Sequence, residues 1–336
     1  MSGGNPTVVF TQPRQIAIED RGIPVPKEGE LLIKTRRTMI STGTELTILN
    51  GQFPRDSAWA LYGKFPFVPG YNNVGEVIDV GPKVDRTWIG RRVASYGSHA
   101  LYVIAGVDSV RTIDRNVPDD PVVFFTIAEI VMNGVRRGGV EWGDAVAVFG
   151  AGLLGQFTAR FCRLCGARPV FVIDLANSRL RYLPDDPLIV KLNTNEADIV
   201  SAVDKGTRGR KVRVVFEVTG SAALIPSEFR ILRKQGHFVV LSSPRGETTF
   251  DFHDLCNSPS FTIIGAHNSS HPAHATPENP WTMKRHFELF VDLIADHELD
   301  VSPLISHREP YGRAVELYQM LLRDRSQAMG VVFEWP

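Results

Sequence analysis

Cysteine is scarce in this sequence, with three residues among 336. Three cysteines do not make a disulfide framework in a chain of this size, so we expect a reducing, cytoplasmic location. The segment from Met1 to Pro6 has no apolar signal-peptide core, which agrees with that expectation. Cys162 and Cys165 form a C-x-x-C pair, but a zinc ribbon needs a second pair. We expect both to be buried residues of a helix.

The chain also lacks an excess of charge of either sign and a long hydrophobic run. Lys plus Arg equals Asp plus Glu at 37 each, so nothing indicates binding to nucleic acid or to an anionic membrane. A transmembrane helix needs about 18 consecutive apolar residues, and none is predicted. The length is sufficient for two domains with a large core.

Hydrophobic periodicity divides the chain into two kinds of segment. Residues 1–118 are β-rich, with strands predicted at 7–10, 15–20, 31–38, 75–80 and 92–95. After a helix predicted over 121–137, strands alternate with helices. These strands are predicted at 145–149, 169–173, 188–192, 212–217, 237–242 and 261–266. The helices are predicted at 152–165, 177–183, 196–204, 222–233 and 283–297. The alternation predicts an α/β fold with a doubly wound, six-stranded parallel sheet. The tail beyond Asp300 is predicted to hold one helix, 312–322, and a final strand, 330–333.

The most informative motif is Gly150-x-Gly152-x-x-Gly155, which follows an apolar strand and opens a helix. Gly150 permits a tight turn, Gly152 lets the backbone approach a pyrophosphate, and Gly155 permits close packing of helix on strand. The start of the helix, with Leu153 and Leu154, offers free N–H groups to phosphates. Glycine-rich turns occur in other α/β proteins too, but the strand and helix around this one favour a dinucleotide-binding (Rossmann) site.

The next predicted strand is followed by Asp174, about 20 residues after the glycines, where a carboxylate would hold both ribose hydroxyls. A carboxylate repels a 2′-phosphate, so Asp174 favours NAD(H) over NADP(H). Arg179 follows closely and is counted with the cofactor-binding residues, although its charge works against that preference.

The last strand of the predicted sheet, 261–266, is expected at an exposed edge. Such an edge invites pairing across a two-fold axis, which predicts a homodimer. The alternative is a monomer in which a loop covers the edge.

Several further segments resemble the medium-chain dehydrogenase/reductase superfamily, and the resemblance covers nearly the whole chain. They are ISTGTEL at 40–46, FVPGYNNVGEV at 67–77, VGPKV at 80–84, IGRRV at 89–93 and VFEVTG at 215–220. The resemblance implies a GroES-like, β-rich catalytic domain formed by residues 1–118 and 300–336. It implies a Rossmann domain at 119–299, with the active site in the cleft between them. It also implies that Thr219 and Gly220 lie beside the nicotinamide half of the cofactor.

The sequence departs from this family at the metal site. In zinc-dependent members a Cys, a His and a third residue hold the metal, and this chain has Thr42 and Tyr71 at the first two positions. Asn72 stands where the family has Glu, and the third region, 125–129, has no Cys. Zinc prefers thiolate and imidazole ligands, so we expect no zinc.

The four-cysteine structural zinc lobe is also missing after Tyr96. In this respect the chain resembles the zinc-free quinone- and enoyl-reductase branch. Its STGTEL segment resembles a subgroup that includes bacteriochlorophyllide hydroxyethyl dehydrogenases.

A hydrogen-bond donor or general acid must replace the metal in handling charge on the reacting oxygen. Tyr71 is the first candidate, because the resemblance puts it where a metal ligand would lie; the alternative is a tyrosine that only fills space. Thr44 matches a position at which relatives relay the alcohol proton, and the alternative is a turn hydroxyl. Thr42 is a further candidate contact in the former metal site.

Other candidates lie in two irregular stretches. Residues 267–281 carry three of the nine histidines and three prolines, which predicts a loop. His267 is a candidate acid or base and His271 a candidate substrate contact, and the alternative is a solvated surface loop. Trp59 and Tyr62, together with Asn72, are candidate substrate contacts; the two aromatic rings are alternatively part of a core.

We therefore expect a zinc-independent, NAD(H)-dependent oxidoreductase that interconverts a secondary alcohol and a ketone on a polar or ring-bearing small molecule. The alternatives are reduction of a conjugated C=C bond and a cofactor-binding protein that has lost catalysis.

Overall fold

The computed structural model describes residues 4–53 and 56–336. The chain folds into two compact units, which we call the terminal unit, Met1–Thr126 with Phe287–Pro336, and the central unit, Ile127–His286. The boundaries of the units fall at 126/127 and 286/287, whereas the resemblance implied domain boundaries at 118/119 and 299/300.

Within the described residues the strands are β1 Asn5–Gln12, β2 Gln15–Arg21, β3 Glu30–Met39, β4 Asn73–Val80, β5 Arg92–Ser95, β6 Tyr102–Gly106, β7 Arg111–Thr112, β8 Val146–Phe149, β9 Val170–Asp174, β10 Ile189–Asn193, β11 Val212–Glu217, β12 Leu232–Val240, β13 Thr262–Gly265, β14 Ile305–Pro310 and β15 Gly330–Glu334. The α-helices are α1 Thr44–Asn50, α2 Ala58–Tyr62, α3 Asp119–Val122, α4 Phe125–Gly138, α5 Leu153–Leu164, α6 Asn177–Leu180, α7 Ile199–Thr207, α8 Ile225–Glu228, α9 Met283–Ala295 and α10 Ala314–Arg323. Shorter 3-10 or π turns are Arg86–Trp88, Ala222–Leu224, Phe229–Ile231, His253–Asn257, Asn268–Ser270, Ser302–Leu304, Tyr311–Arg313 and Arg325–Gln327.

The terminal unit is a β-rich, GroES-like domain. Its main sheet has the order β14-β15-β3-β4-β5-β7, and β6 also pairs with β3. Apolar residues of α1 and α10, such as Ile48 and Leu317, pack with Phe333 of β15 in one core cluster. Burial of side chains of this size contributes roughly 1.5–3 kcal/mol each, which holds α1 and its preceding turn in place.

The central unit contains the predicted six-stranded parallel sheet, in the order β10-β9-β8-β11-β12-β13. The chain reverses its direction of winding between β8 and β11, and ligands of such sheets bind at the carboxyl ends of the strands there. The core of one face contains Phe171, Val215, Phe229 and Phe238.

Three predictions for local structure were incomplete or wrong. The helix predicted at 222–233 is limited to α8 and two 3-10 turns, because Leu232 already pairs with Val212 as the start of β12. Strands β6, β7 and β14 were not predicted; β14 is mostly polar and partly exposed, so it lacks an apolar alternation. Cys162 is buried on α5 as expected, but Cys165 is exposed at its C-terminus.

No helix among the described residues has the length and apolar character needed to cross a membrane.

Candidate functional site

Three side chains of the terminal unit form what we call the hydroxyl cluster. The Tyr71 hydroxyl donates to Oγ1 of Thr44 at 3.1 Å and is also hydrogen-bonded to Oγ of Ser41. Since the Tyr71 proton points to Thr44, Ser41 is the donor to Tyr71, and the three hydroxyls form a directed chain. The structure thus brings together two predicted site residues, Tyr71 and Thr44, and links them to Ser41 by hydrogen bonds. Sequence reasoning missed Ser41, although it lies in the same ISTGTEL segment.

The backbone of Tyr71 is strained. Its φ is +111°, a region that bulky side chains rarely occupy and that costs of order 1–3 kcal/mol. The conformation is held from both sides: the Tyr71 N–H donates to the Gly97 carbonyl at 3.2 Å, and the Thr126 hydroxyl donates to the Tyr71 carbonyl at 3.1 Å. Strain of this kind concentrates at functional sites, which motivates a role for Tyr71 beyond packing.

The protonation state of Tyr71 follows from its surroundings. Burial raises the pKa of Tyr71 to about 12, and the charge of Glu45 adds to this, while the hydrogen bonds with Ser41 and Thr44 act in the opposite direction. At neutral pH the phenol therefore keeps its proton and serves as a hydrogen-bond donor.

A buried polar network supports the turn that carries Ser41 and Thr44. Oε1 of Glu45 accepts the Ser41 N–H at 2.7 Å, and Oε2 accepts the Tyr318 hydroxyl and lies 3.2 Å from Nε2 of His99. On its other side the His99 ring bonds to Oγ1 of Thr38 at 2.7 Å. The members are almost fully buried, so each polar group must be satisfied internally, which fixes the turn.

The remaining candidates of the terminal unit lie outside the hydroxyl cluster. Thr42 is partly exposed on the turn before α1. Asn72 is fully buried, and its Nδ2 donates to the Met39 carbonyl at 3.2 Å. Trp59 packs against the core cluster that contains α1 and α10, whereas Tyr62 is 54% exposed and interacts electrostatically with Tyr71.

The donor set at the family's metal position does not fit zinc. Thr42 and Tyr71 offer neutral hydroxyls, which are poor ligands for a cation that prefers thiolate and imidazole. Across residues 4–53 and 56–336, no three His, Cys, Asp or Glu residues are grouped as metal ligands.

In the central unit the glycine turn has the geometry of a phosphate cradle. Gly150 adopts φ +106°, and a Cβ on Gly155 would overlap the carbonyl oxygen of Gly150. A Cβ on Gly152, in contrast, would project into open space. The first-turn N–H groups of α5, which include those of Leu153 and Leu154, have no acceptor within the helix. Backbone donors and empty space for an anion therefore coincide at this turn.

Asp174 lies beside this turn at the end of β9. Its Oδ2 accepts the Ala151 N–H at 2.7 Å and its Oδ1 accepts the Ala176 N–H at 2.8 Å, so the carboxylate is fixed by backbone. Each oxygen can still accept a further hydrogen bond, as a ribose diol requires. Nη1 of Arg179 lies 3.9 Å from Oδ2 of Asp174, so a cation and a carboxylate lie side by side at the end of β9.

A buried glutamate organises the loop after β11. Oε1 of Glu217 accepts the Thr219 N–H at 2.7 Å, the Thr219 hydroxyl at 2.6 Å and the Gly220 N–H at 2.9 Å. Its Oε2 accepts the Ser242 hydroxyl. Thr219 and Gly220 were predicted from sequence, but the positioning role of Glu217 was missed; a glutamate inside an otherwise apolar strand was the available signal.

The two candidate histidines of the 267–281 loop lie in different environments. Nδ1 of the exposed His267 accepts the Ser269 N–H at 3.2 Å and caps a short turn. His271 is 8% exposed; its Nδ1 bonds to the Asn268 carbonyl at 2.7 Å and its Nε2 to Nδ1 of His286 at 2.9 Å.

His286 completes the anchor of this loop. Burial, then the charges of His271 and Arg136, lowers the pKa of His286 to about 3, so the ring is neutral near pH 7. Its Nε2 accepts from Nε of Arg136 at 3.1 Å. The guanidinium of Arg136 also stacks on Trp281 at 3.3 Å. Within the central unit, His271 therefore belongs to a hydrogen-bonded network with His286 and Arg136 that holds the loop.

Comparisons with known proteins agree with this division into two domains. The family described as alcohol dehydrogenase GroES-like domain matches residues 27–113, and the family described as zinc-binding dehydrogenase matches residues 154–281. Sorbitol dehydrogenase 2 of Saccharomyces cerevisiae is 23% identical, and the similarity covers 99% of this chain and 98% of that protein.

Two solved structures illustrate the fold. An alcohol dehydrogenase from Escherichia coli complexed with NADH is similar with a TM-score of 0.84 at 16% identity, over 99% of this chain and 100% of that one. A protein from Sinorhizobium meliloti bound to NADP has a TM-score of 0.80 at 20% identity, over 99% and 100% of the two chains. With a GroES-like domain, a Rossmann domain and dehydrogenase relatives along its whole length, the chain belongs to the medium-chain dehydrogenase/reductase superfamily.

Proposed function

We propose that this protein is an NAD(H)-dependent dehydrogenase that interconverts a secondary alcohol and a ketone on a polar or ring-bearing small molecule, without a catalytic zinc. The observation that carries the proposal is the Ser41–Tyr71–Thr44 hydroxyl chain at the position of the family's metal site. The strained backbone of Tyr71 supports it, and the similarity to a sorbitol dehydrogenase supports a hydroxylated substrate.

The cofactor half of the proposal rests on the central unit. A bound nicotinamide dinucleotide supplies or accepts the hydride. The glycine turn and the first N–H groups of α5 would bind its pyrophosphate, and Asp174 would accept hydrogen bonds from the ribose hydroxyls. Glu217 would position the Thr219–Gly220 loop for the nicotinamide half. NAD(H) is favoured because the carboxylate of Asp174 repels a 2′-phosphate; the nearby charge of Arg179 reduces this discrimination.

The proton half rests on the hydroxyl cluster. In ketone reduction, Tyr71 donates its proton to the carbonyl oxygen as the hydride reaches the carbonyl carbon and the C=O π bond becomes a lone pair on oxygen. Thr44, which is partly exposed, passes its own proton to the Tyr71 oxygen and regains one from water. Alcohol oxidation is the reverse: the alcohol proton passes to the Tyr71 oxygen, the Tyr71 proton moves to Thr44, and Thr44 releases its own proton to water. Because its pKa is about 12, Tyr71 acts through this relay rather than as a tyrosinate.

The decisive experiment compares Tyr71→Phe with Tyr102→Phe, a tyrosine of the same unit outside the cluster. The purified chain is assayed for NAD⁺ reduction with sorbitol and other polyols, and for NADH oxidation with ketones and with enones. Loss of the phenol should lower kcat/KM by roughly 10²–10⁴-fold, the usual contribution of a general acid, with an unchanged unfolding midpoint. Tyr102→Phe should match the wild type.

The pH profile provides an independent readout. Since the pKa of Tyr71 is about 12, ketone reduction should show no loss of the acid form below about pH 10. Full activity of Tyr71→Phe with every substrate would refute the proposed acid. Turnover of enones alone would instead identify C=C reduction, and cofactor binding without any turnover would identify a protein that has lost catalysis. Metal analysis of the active enzyme tests zinc independence directly.

We also propose a homodimer formed through β13, because this strand ends the parallel sheet and its residues are largely exposed. Nε of Arg137 bonds to the carbonyl of Gly265 and covers one end of the edge, which leaves the earlier residues for pairing.

A further inference from the structure

A small cationic cavity lies in the central unit, apart from the cofactor residues. It has a volume of about 90 Å³. Its lining includes five cationic side chains and one carboxylate: Arg168, Arg210, Lys211, Arg213, Arg233 and Asp144. A cavity of this size accommodates a small polyatomic ion.

The cavity lies at the end of the sheet opposite to the glycine turn. Arg168 precedes β9, and Arg210 and Lys211 precede β11, so these residues stand at the amino ends of strands whose carboxyl ends approach the cofactor. The four residues of β8 alone span roughly 13 Å at 3.3 Å per residue. The cationic cavity is therefore a different site from the phosphate cradle at Gly150–Gly155.

The positive charge of the cavity is uncompensated. Within the described residues, none of the five cations lies within 4.0 Å of a carboxylate, and the Lys211 ammonium donates instead to the Arg230 carbonyl at 2.9 Å. The one acidic group, Asp144, uses its Oδ2 to accept the Glu141 N–H at 3.0 Å. Like charges held together without a counter-ion repel one another, so the arrangement favours a bound anion.

Arg213 supplies a second, independent observation. Its Nη1 has essentially no contact with solvent and has no hydrogen-bond partner among the described residues. Buried donors are nearly always paired, since desolvation of an unpaired charged donor costs free energy, and an ion is one explanation for an exception. Because Nη1 itself has no exposed surface, it is the charge of Arg213, whose side chain lines the cavity, that an anion there would stabilise.

We propose that the cationic cavity binds a phosphoryl group, either as inorganic phosphate or as the head of a phosphomonoester. A phosphoryl group offers several acceptor oxygens to guanidinium forks in a compact tetrahedron. A protonated phosphate oxygen also donates to a carboxylate, and Asp144 is the one acidic residue in the lining. Sulfate is fully ionised near neutral pH and has no such proton, so the site discriminates against it.

Calorimetric titration of the full-length protein tests this proposal. Inorganic phosphate, glucose 6-phosphate and sulfate are titrated separately at constant ionic strength, with NADH present to occupy the glycine turn. We expect phosphate or glucose 6-phosphate to bind with a stoichiometry of one per chain, and the stronger of the two identifies the free or esterified form. Sulfate should bind at least about tenfold more weakly.

Variants assign the response to the cavity. The double variant Arg168→Gln/Arg210→Gln changes two exposed side chains, so folding should be preserved, and it should weaken phosphate binding by at least roughly tenfold. Lys205→Gln removes an exposed charge from the same α7 region outside the lining and should leave binding unchanged. Arg213→Gln should abolish binding. The proposal would be overturned if neither phosphate nor glucose 6-phosphate binds, if the double variant binds as tightly as the wild type, or if sulfate binds equally well.

Discussion

At the residue scale, Tyr71 occupies a backbone conformation that is unfavourable for a side chain of its size, and two hydrogen bonds from distant segments hold it there. Glu217 shows a different kind of positioning, because a single buried carboxylate fixes Thr219, Gly220 and Ser242 together. The strain at Tyr71 and the burial of the Glu217 carboxylate both cost free energy, and the surrounding packing offsets this cost.

Glu228 is a buried carboxyl group that, unlike Glu217, orients no other described residue through hydrogen bonds. It is fully buried, and neither carboxyl oxygen has a hydrogen-bond partner within the described residues. Burial, and then the charge of Glu217, raises the pKa of Glu228 from 4.5 to about 9. The folded chain therefore keeps this proton at pH values where the unfolded chain has released it.

This difference predicts how stability depends on pH. The contribution of Glu228 is complete below about pH 4.5 and is lost as the pH rises toward about 9, because only the unfolded state ionises in that window. Glu228→Gln should remove this slope and raise the free energy of unfolding by about 1–3 kcal/mol at pH 7, as measured by urea denaturation. Glu247→Gln, at an exposed position of the same unit, is the control. An unchanged slope in Glu228→Gln would contradict the assigned pKa.

At the element scale, two glycines of the turn between β8 and α5 differ in what requires them. Gly155 is required because a side chain there would overlap the backbone of Gly150, whereas Gly152 faces open space. Close packing therefore requires a glycine at position 155, whereas the proposed approach of a pyrophosphate accounts for the glycine at position 152.

A pair of alanine variants separates these roles. Gly155→Ala should lower the free energy of unfolding by about 1–3 kcal/mol, as expected for overpacking. Gly152→Ala should change it by less than about 1 kcal/mol, yet weaken NADH binding by at least roughly tenfold, since the added methyl group takes the space of the pyrophosphate. Denaturation curves and fluorescence titration with NADH give both quantities. Normal NADH affinity in a folded Gly152→Ala protein would place the cofactor elsewhere.

At the scale of the whole molecule, two units with separate cores divide the proposed chemistry. The terminal unit holds the hydroxyl cluster on a turn fixed by Glu45 and His99, and the central unit holds the glycine turn, Asp174 and the Glu217 loop. The proposed proton transfer therefore depends on residues of one unit and the proposed cofactor binding on residues of the other.

Assembly is predicted at the same scale. If β13 pairs with its copy in a partner subunit, sedimentation velocity should show a dimer of the wild-type chain. Ile263→Arg, at a 44% exposed position of the strand, should shift the protein to a monomer, because a charge on a pairing edge opposes association. Val25→Arg, at an 82% exposed position of the terminal unit, should leave the dimer intact. A dimer that survives Ile263→Arg would locate the interface on another surface.

Much of the fold was predictable because it is encoded locally. The apolar strands and the glycine spacing follow from residues next to each other in sequence, and they predicted the parallel sheet and its nucleotide turn. The 222–233 helix was predicted wrongly because its apolar residues serve β12 and the sheet core instead. The partner of His271 was not predicted, since His286 lies 15 residues away on a separate helix.

The sequence by itself determined the glycine turn between an apolar strand and a helix, since this depends only on residue type and spacing. Its resemblance to the family implied that Thr42 and Tyr71 stand at the metal positions. Only the tertiary structure decided that Ser41 joins Tyr71 and Thr44, that Glu217 bonds to three residues around it, and that five cations share one cavity. Hydrogen bonds and charge repulsion act over a few ångströms, and only folding brings such distant residues that close.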